Sequence, residues 1–335
     1  MIENYQNKNV GVLFTRYANW NSKKPFVTLA MNRSYAVLSQ KARKKGLILY
    51  VAKYTTYQNG ILKKAWVYNK TWKKVENIKL DIIYSRFNKA IYEGFTKNKR
   101  VENLKYKMEE QVGLFNSPEL EEFCWDKCMV AELFPKISPK TFLVNTIRGL
   151  KIVLPEIKSE KIVLKPRYGT LGENVIVTTK DKLPKKINKN TIVQEFIDGS
   201  EGIKGVVKSY HDMRVIVING EIDHCHIRIP KKGLLTANMA LGGKKIFVSK
   251  SKIPEKAICV VKKIDRLLRK YYPRLFSVDF VFDKNQRPYA IECNGSPTMH
   301  RYAYGKYRRI SYFNHVLDAI KSGIKLKIVK TIDES

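Results

Sequence analysis

The chain has 335 residues, 44% hydrophobic and 28% charged, which is apolar material for about two packed domains and excludes a disordered tail. Lysine and arginine number 64 against 30 aspartate and glutamate, and the formal net charge of +34 draws polyanions toward the surface. Met1 to Asn9 lacks the apolar stretch of a signal peptide, and no run approaches the roughly 18 apolar residues of a spanning helix, so a cytoplasmic protein without a transmembrane segment is expected.

In chain order, Val10 to Phe14 reads as a strand, roughly Ser34 to Lys45 as a helix with Gly46 as its C-cap, and Leu47 to Val51 as a second strand. This βαβ unit calls for a parallel sheet in the first 120 or so residues. Polar Glu102 to Glu110, then Asn116-Ser117-Pro118-Glu119, reads as a connection, with Ser117 or Asn116 capping the helix that carries Lys127. Five cysteines (Cys124, Cys128, Cys225, Cys259, Cys293) without C-x-x-C spacing read as reduced thiols. Cys124 and Cys128, four apart, are expected on one helix face as small apolar packing groups.

The strand Lys161 to Leu164 runs into Lys165-Pro166-Arg167-Tyr168-Gly169-Thr170-Leu171-Gly172 and resumes at Asn174 to Thr178. A glycine-containing turn lets backbone N–H groups approach phosphate oxygens, while Lys165 supplies a point charge. Neither G-x-x-x-x-G-K-[ST] nor G-x-G-x-x-G occurs, which sets aside Walker and dinucleotide loops. The segment Gln194-Glu195-Phe196-Ile197 closes an apolar strand from Thr191 and suits an adenine, with main-chain groups for the base edge and apolar walls from Phe196 and Ile197. In His224-Cys225-His226 the two imidazoles share a strand face and Cys225 points away, so a zinc site is not expected.

Ser277 to Phe282 and Tyr289 to Pro297 read as two apolar strands joined by Asp283-Lys284-Asn285-Gln286. Strand alternation puts Glu292 and Asn294 on one face, and the hairpin brings Asp279 opposite them as three hard oxygen donors for Mg2+. Alone, the same residues would serve as ordinary polar positions of a hairpin.

Taken together, the order of these pieces from about Asp126 onward resembles the ATP-grasp superfamily of carboxylate–amine or carboxylate–thiol ligases. Asp126-Lys127 with Phe134 to Thr141 looks like the D-K helix and the P-x-T passage into the small lid. Lys127 and Lys165 match the two phosphate-binding lysines, and Gln194, Glu195, Phe196 and Ile197 match the adenine hinge. Gly169 and Gly172 fall in the loop that closes on the phosphates, and Asp212-Met213-Arg214 resembles the family's D-x-R. Arg228 falls where glutamate-adding ligases of the ribosomal-protein-modifying type carry a substrate arginine. Asn238 falls where they carry an S-N, although Thr236-Ala237 replaces the usual Arg-Ser. Asp279, Glu292 and Asn294 match the metal ligands, for Mg2+ or Mn2+, and the ribose partner is Glu201, Asp198 or Asp212. Val10 to Phe14, Ala65 to Trp72 and Asp81 to Arg86 look like the spore-coat-associated YheC/YheD type.

The resemblance implies an α/β (α+β) chain: a Rossmann-like pre-ATP-grasp domain over 1–120 and an ATP-grasp domain over 121–325, its lid at about 140–195 and its metal-binding part at about 196–325. It also implies an ADP-forming ligase with ATP and Mg2+ as cofactors, an acyl-phosphate intermediate, Lys165 and Arg228 in the chemistry, and anionic small-molecule or peptide carboxylate and amine substrates. The alternatives are a kinase of a small phosphorylated substrate on the same fold, or a nonenzymatic nucleic-acid-binding module. The last reading uses the basic runs Lys41 to Lys45, Lys97 to Arg100 and Tyr307 to Arg309 with the 19 tyrosines, and its contact with nucleic acid would be nonspecific.

Overall fold

The computed structural model describes residues 7–169, 172–235, 242–297 and 306–333, with the backbone alone at 306–307 and 327–333. The chain starts with β1 (Lys8–Phe14), crosses over through α1 (Leu29–Lys44) and returns parallel to it as β2 (Leu47–Lys53). The helix begins five residues before the expected Ser34, because the Thr28 hydroxyl accepts from the Met31 N–H at 3.3 Å and caps it there. Its end is as expected, with Gly46 at φ +74° beyond the last turn. Next come β3 (Tyr57–Gln58), β4 (Ile61–Asn69), β5 (Thr71–Lys79) and β6 (Ile82–Arg86). A short ribbon, β7 (Tyr92–Glu93) with β8 (Thr96–Lys97), and α2 (Lys99–Gln111) lead to β9 (Leu114–Phe115). The sheet order is β3-β4-β2-β1-β6-β9, with β5 on β4. The run β2-β1-β6-β9 is parallel, while β3 to β5 fill one edge as antiparallel hairpins.

Two short helices follow, α3 (Pro118–Trp125) and α4 (Met129–Leu133). Of the two capping candidates, Ser117 caps α3 through its hydroxyl, accepting from Leu120 N–H at 3.3 Å. Asn116 instead joins distant segments. Its carboxamide donates to the carbonyls of Leu275 and Gly295, both at 2.6 Å, and accepts from the Leu275 N–H at 2.7 Å.

A second sheet contains β10 (Thr141–Val144), then after α5 (Ile147–Val153) the strands β11 (Lys161–Pro166), β12 (Ile176–Thr179) and β13 (Thr191–Glu195). They pair antiparallel in the order β10-β13-β11-β12 over a small core of Val144, Leu150, Ile162, Leu164 and Val193.

A third sheet is made of β14 (Asp212–Ile218), β15 (Glu221–Ile229), β16 (Lys244–Val248) and, after α6 (Glu255–Leu268), β17 (Leu275–Phe282) and β18 (Pro288–Asn294). It is antiparallel in the order β16-β15-β14-β17-β18. Ala257, Val260, Val261, Ile264 and Leu268 recur at helical spacing on α6 and are buried with Met213, Val215, Val278 and Phe280 of the sheet. On the opposite face Ile216 and Leu275 join Tyr312, Phe313, Val316 and Ile320 of α7 (Lys306–Asp333) and Val10, Leu49 and Ile82 of the first sheet. Each such side chain contributes roughly 1.5–3 kcal/mol by burial, so α7 is a strong seam between the first and third sheets. Among the described residues no helix is long and apolar enough to cross a membrane.

Candidate active site

The face of the third sheet that α7 covers at one end is polar at the other. Registers place Arg214 opposite Asp279 and Asp279 opposite Glu292, while Asp212 faces Arg228 across β14 and β15. With side chains alternating along each strand, Asp212 and Arg214, Arg228, Asp279, Glu292 and Asn294 emerge on one face. Ile291 is the extra residue of a bulge, since Asp279 pairs with Glu292 and Phe280 with Ala290.

Asp279 is wholly buried. Arg214 grips it with two parallel bonds, Nε to Oδ1 at 2.6 Å and Nη2 to Oδ2 at 2.5 Å, and Arg228 Nη2 adds a third at 2.6 Å. Burial opposes its ionisation, but the two guanidiniums prevail and hold the carboxyl well below the usual range. Asp212 also pairs with Arg228, yet burial lifts its carboxyl to about 6. Glu292 lies 3.6 Å from Arg214 and accepts from Asn294 Nδ2 at 3.1 Å, which leaves the Asn294 carboxamide oxygen as the group that can ligate. Two carboxylates and one carboxamide oxygen suit a hard divalent cation, and an Asp279 kept ionised by arginines meets the requirement that a ligand be deprotonated.

Lys165, on β11, reaches across to this cluster. Its ammonium donates to Gln194 Oε1 at 2.9 Å and to the Ile291 carbonyl at 3.4 Å. Burial pulls its pKa down to about 8, with Glu292 acting the other way. Lys127 donates to the carbonyls of Gly169 at 2.9 Å and Pro166 at 3.4 Å, and burial again lowers its pKa.

Lys127 is not on a helix, contrary to expectation. The helix stops at Trp125, and Asp126 turns the chain, with Oδ1 accepting from Cys128 N–H at 3.0 Å and Oδ2 clamped by Arg167 Nε and Nη2 at 2.9 and 2.5 Å. Cys124 therefore lies in α3 and Cys128 in the turn just before α4, both buried. Sequence reading missed Arg167 as the partner of Asp126, although Arg167 is two residues from Lys165 in the same motif.

Gln194, the first residue of the expected adenine hinge, is occupied on both sides, accepting from Lys165 and donating through Nε2 to the Thr141 hydroxyl at 2.9 Å. The Glu195 N–H donates to the Lys140 carbonyl at 2.8 Å and the Phe196 N–H to the Ser159 hydroxyl at 3.1 Å. Those donors are taken, and a base edge here would meet the carbonyls and the apolar faces of Phe196 and Ile197. Of the ribose candidates, Asp212 is engaged by Arg228 and Asp198 accepts from Ser200 N–H at 3.0 Å, while Glu201 is exposed on the rim of a cavity of about 610 Å3 with Lys204 and Lys284. Gly169 has φ +100°, and a Cβ there would come within 3.2 Å of the Gly94 nitrogen, so the stem of this turn needs glycine. Gly172 is described at the far end of that loop; Thr170 and Leu171 between them, and Thr236 to Leu241 with Asn238, lie outside the described residues.

A family model described as the RimK-like ATP-grasp domain matches residues 127–320. The chain is 24% identical over 230 residues to coenzyme gamma-F420-2:alpha-L-glutamate ligase of Methanococcus maripaludis, covering 66% of this chain and 76% of that one. Its fold is similar to that of the D-cycloserine synthetase DcsG, with a TM-score of 0.61 at 10% identity over 92% of this chain and 99% of the other. A RiPP-associated ATP-grasp ligase of Chryseobacterium gregarium, solved with ADP and a leader and core peptide, gives 0.59 at 15% identity, covering 92% and 96%.

Proposed function

The chain belongs to the RimK-like ATP-grasp family, and from that premise we propose that it joins a carboxylate to an amine through an acyl phosphate, with ATP converted to ADP and phosphate. The observation that carries this reading is one juxtaposition. Lys165 bonds the carbonyl of Ile291, the residue before Glu292, so a lysine whose hydrogen-bond partners are neutral oxygens stands beside a hard-oxygen trio that includes the Glu292 carboxylate. That combination suits a triphosphate held between cation and lysines.

Mg2+, held by Asp279, Glu292 and Asn294, with Mn2+ of similar preference, would offset charge on the phosphate oxygens. Lys127 and Lys165 would add positive charge of their own toward those oxygens. One substrate carboxylate oxygen attacks the γ-phosphorus as the bond to the ADP oxygen breaks, giving the acyl phosphate. The amine then attacks the acyl carbon, loses a proton, and phosphate leaves with the C–O bonding pair. Arg228, whose guanidinium already bridges Asp212 and Asp279, would steady the developing oxyanion. The relatives support carboxylate–amine chemistry, since one is named for adding glutamate and another was solved with a peptide. Substrates of this chain would accordingly be small acids or peptides and an amine.

The test is ADP release over a panel of amino acids and acidic peptides, with hydroxylamine as the trapping amine. A hydroxamate from one acid, dependent on ATP and Mg2+, is the expected result. ADP release that yields a phosphorylated hydroxyl and no hydroxamate would replace the ligase with a kinase.

A further inference from the structure

At the end of β6, Arg86 stands where the parallel strands of the first sheet finish together, with Phe14 in register with both Arg86 and Lys53. The carboxyl ends of parallel strands are where α/β sheets receive ligands. Its guanidinium donates to the Tyr84 hydroxyl at 3.4 Å, the Ser296 hydroxyl at 3.0 Å and the Pro297 carbonyl at 3.2 Å, and lies 5.5 Å from the Tyr84 ring centroid. Every one of these partners is neutral. Arg167, Arg214, Arg228 and Arg274 each hold a carboxylate, whereas among the described residues none lies within ion-pair distance of Arg86. Thr298 to Gly305, which follow Pro297 in the sequence, contain no acidic residue either. A largely desolvated guanidinium without a counter-ion is costly, and a planar two-oxygen anion repays that cost through paired N–H bonds. Ser296 follows Asn294 by two residues, so their Cα atoms are at most about 7.6 Å apart.

We propose that Arg86, framed by Tyr84 and Ser296, is an anion subsite that holds the second carboxylate of a dicarboxylic substrate whose other carboxylate reacts at the Asp279–Glu292 cluster. This rests on the ligase reading for the reacting end. The anion subsite itself follows from a guanidinium whose hydrogen-bond partners are all neutral, and it is tested without catalysis.

Glutarate is the probe, titrated against nucleotide-free protein and against protein with Mg2+ and ADP, beside its monomethyl ester, which carries one charge fewer. Millimolar binding of glutarate is expected, with the ester at least about tenfold weaker, the loss of one charge-assisted contact. Arg86→Gln should weaken glutarate about tenfold while leaving Mg-ADP affinity unchanged, and Arg86→Lys should fall between. If Arg86→Gln does not fold by circular dichroism, Arg86→Lys and the ester comparison on the native protein carry the decision. No glutarate binding at millimolar concentration, equal binding of the ester, or undiminished binding by the folded Arg86 variants overturns the subsite. Failure of the ligase reading is separate: no hydroxamate forms and Mg-ATP does not bind, whatever glutarate does.

Discussion

Arg214 and Arg228 on the third sheet are fastened to Asp279 and Asp212, whereas Lys127 and Lys165 beside the second sheet rest on the carbonyls of Pro166, Gly169 and Ile291 and the carboxamide of Gln194. The difference separates two jobs for positive charge. Cations paired directly with fixed carboxylates organise the site and keep Asp279 ionised, while cations whose hydrogen-bond partners are all neutral are not committed to a fixed acid and can turn to an incoming anion. Arg86 belongs with the lysines in this respect, at a third position.

The comparison breaks most visibly at Asp279. Asp279→Asn removes the acid that both arginines share in a wholly buried position, and breaking a buried pair from one side costs about 3–5 kcal/mol. Urea unfolding should show a loss of that order, and ADP release should fall at least about a hundredfold with the loss of the proposed metal ligand and of the arginine scaffold. A variant as stable as the parent would mean that the arginines do not depend on Asp279.

Lysine replacements should behave in the opposite way toward stability. Lys165→Met removes a desolvated charge with no acid bonded to it, so the unfolding midpoint should hold or rise while turnover drops about 10²–10³-fold. Lys127→Ala should lose turnover similarly, with circular dichroism unchanged. Full activity in either variant would move that lysine out of the phosphate site and among the many surface positives.

Much of this contrast was legible in the sequence because it is local. The alternation of Asp279, Glu292 and Asn294 on a hairpin and the place of Lys165 at a strand end are decided within a few residues, and the strands form there. Pairings between distant segments were not legible. Nothing near Asp279 announces that Arg214, 65 positions away, will grip it, nor that Asn116 will tie Leu275 and Gly295 together from 159 and 179 positions away. Helix limits failed for a different reason. Asp126 has a side chain that competes with the helix for the backbone, and its turn ends α3 just before the lysine that the pattern had placed inside a helix.

A smaller effect sharpens the comparison by titration. Burial brings Lys165 to about 8, so its ammonium is intact below that pH and lost as pH rises through it. Mg-ATP affinity should therefore decline by roughly fivefold between pH 8 and pH 9, as the protonated fraction falls. Stability moves the other way. In the unfolded chain the lysine keeps its proton to roughly pH 10.4, so between about 8 and 10.4 the unfolded state binds more protons than the native one, and the native state gains on it as pH rises. Calorimetric affinity and urea midpoints measured over that window should thus diverge in the parent protein. In Lys165→Met the part of both trends due to this residue should vanish together; a parent and variant with the same pH profile would show that the Lys165 ammonium does not meet the nucleotide.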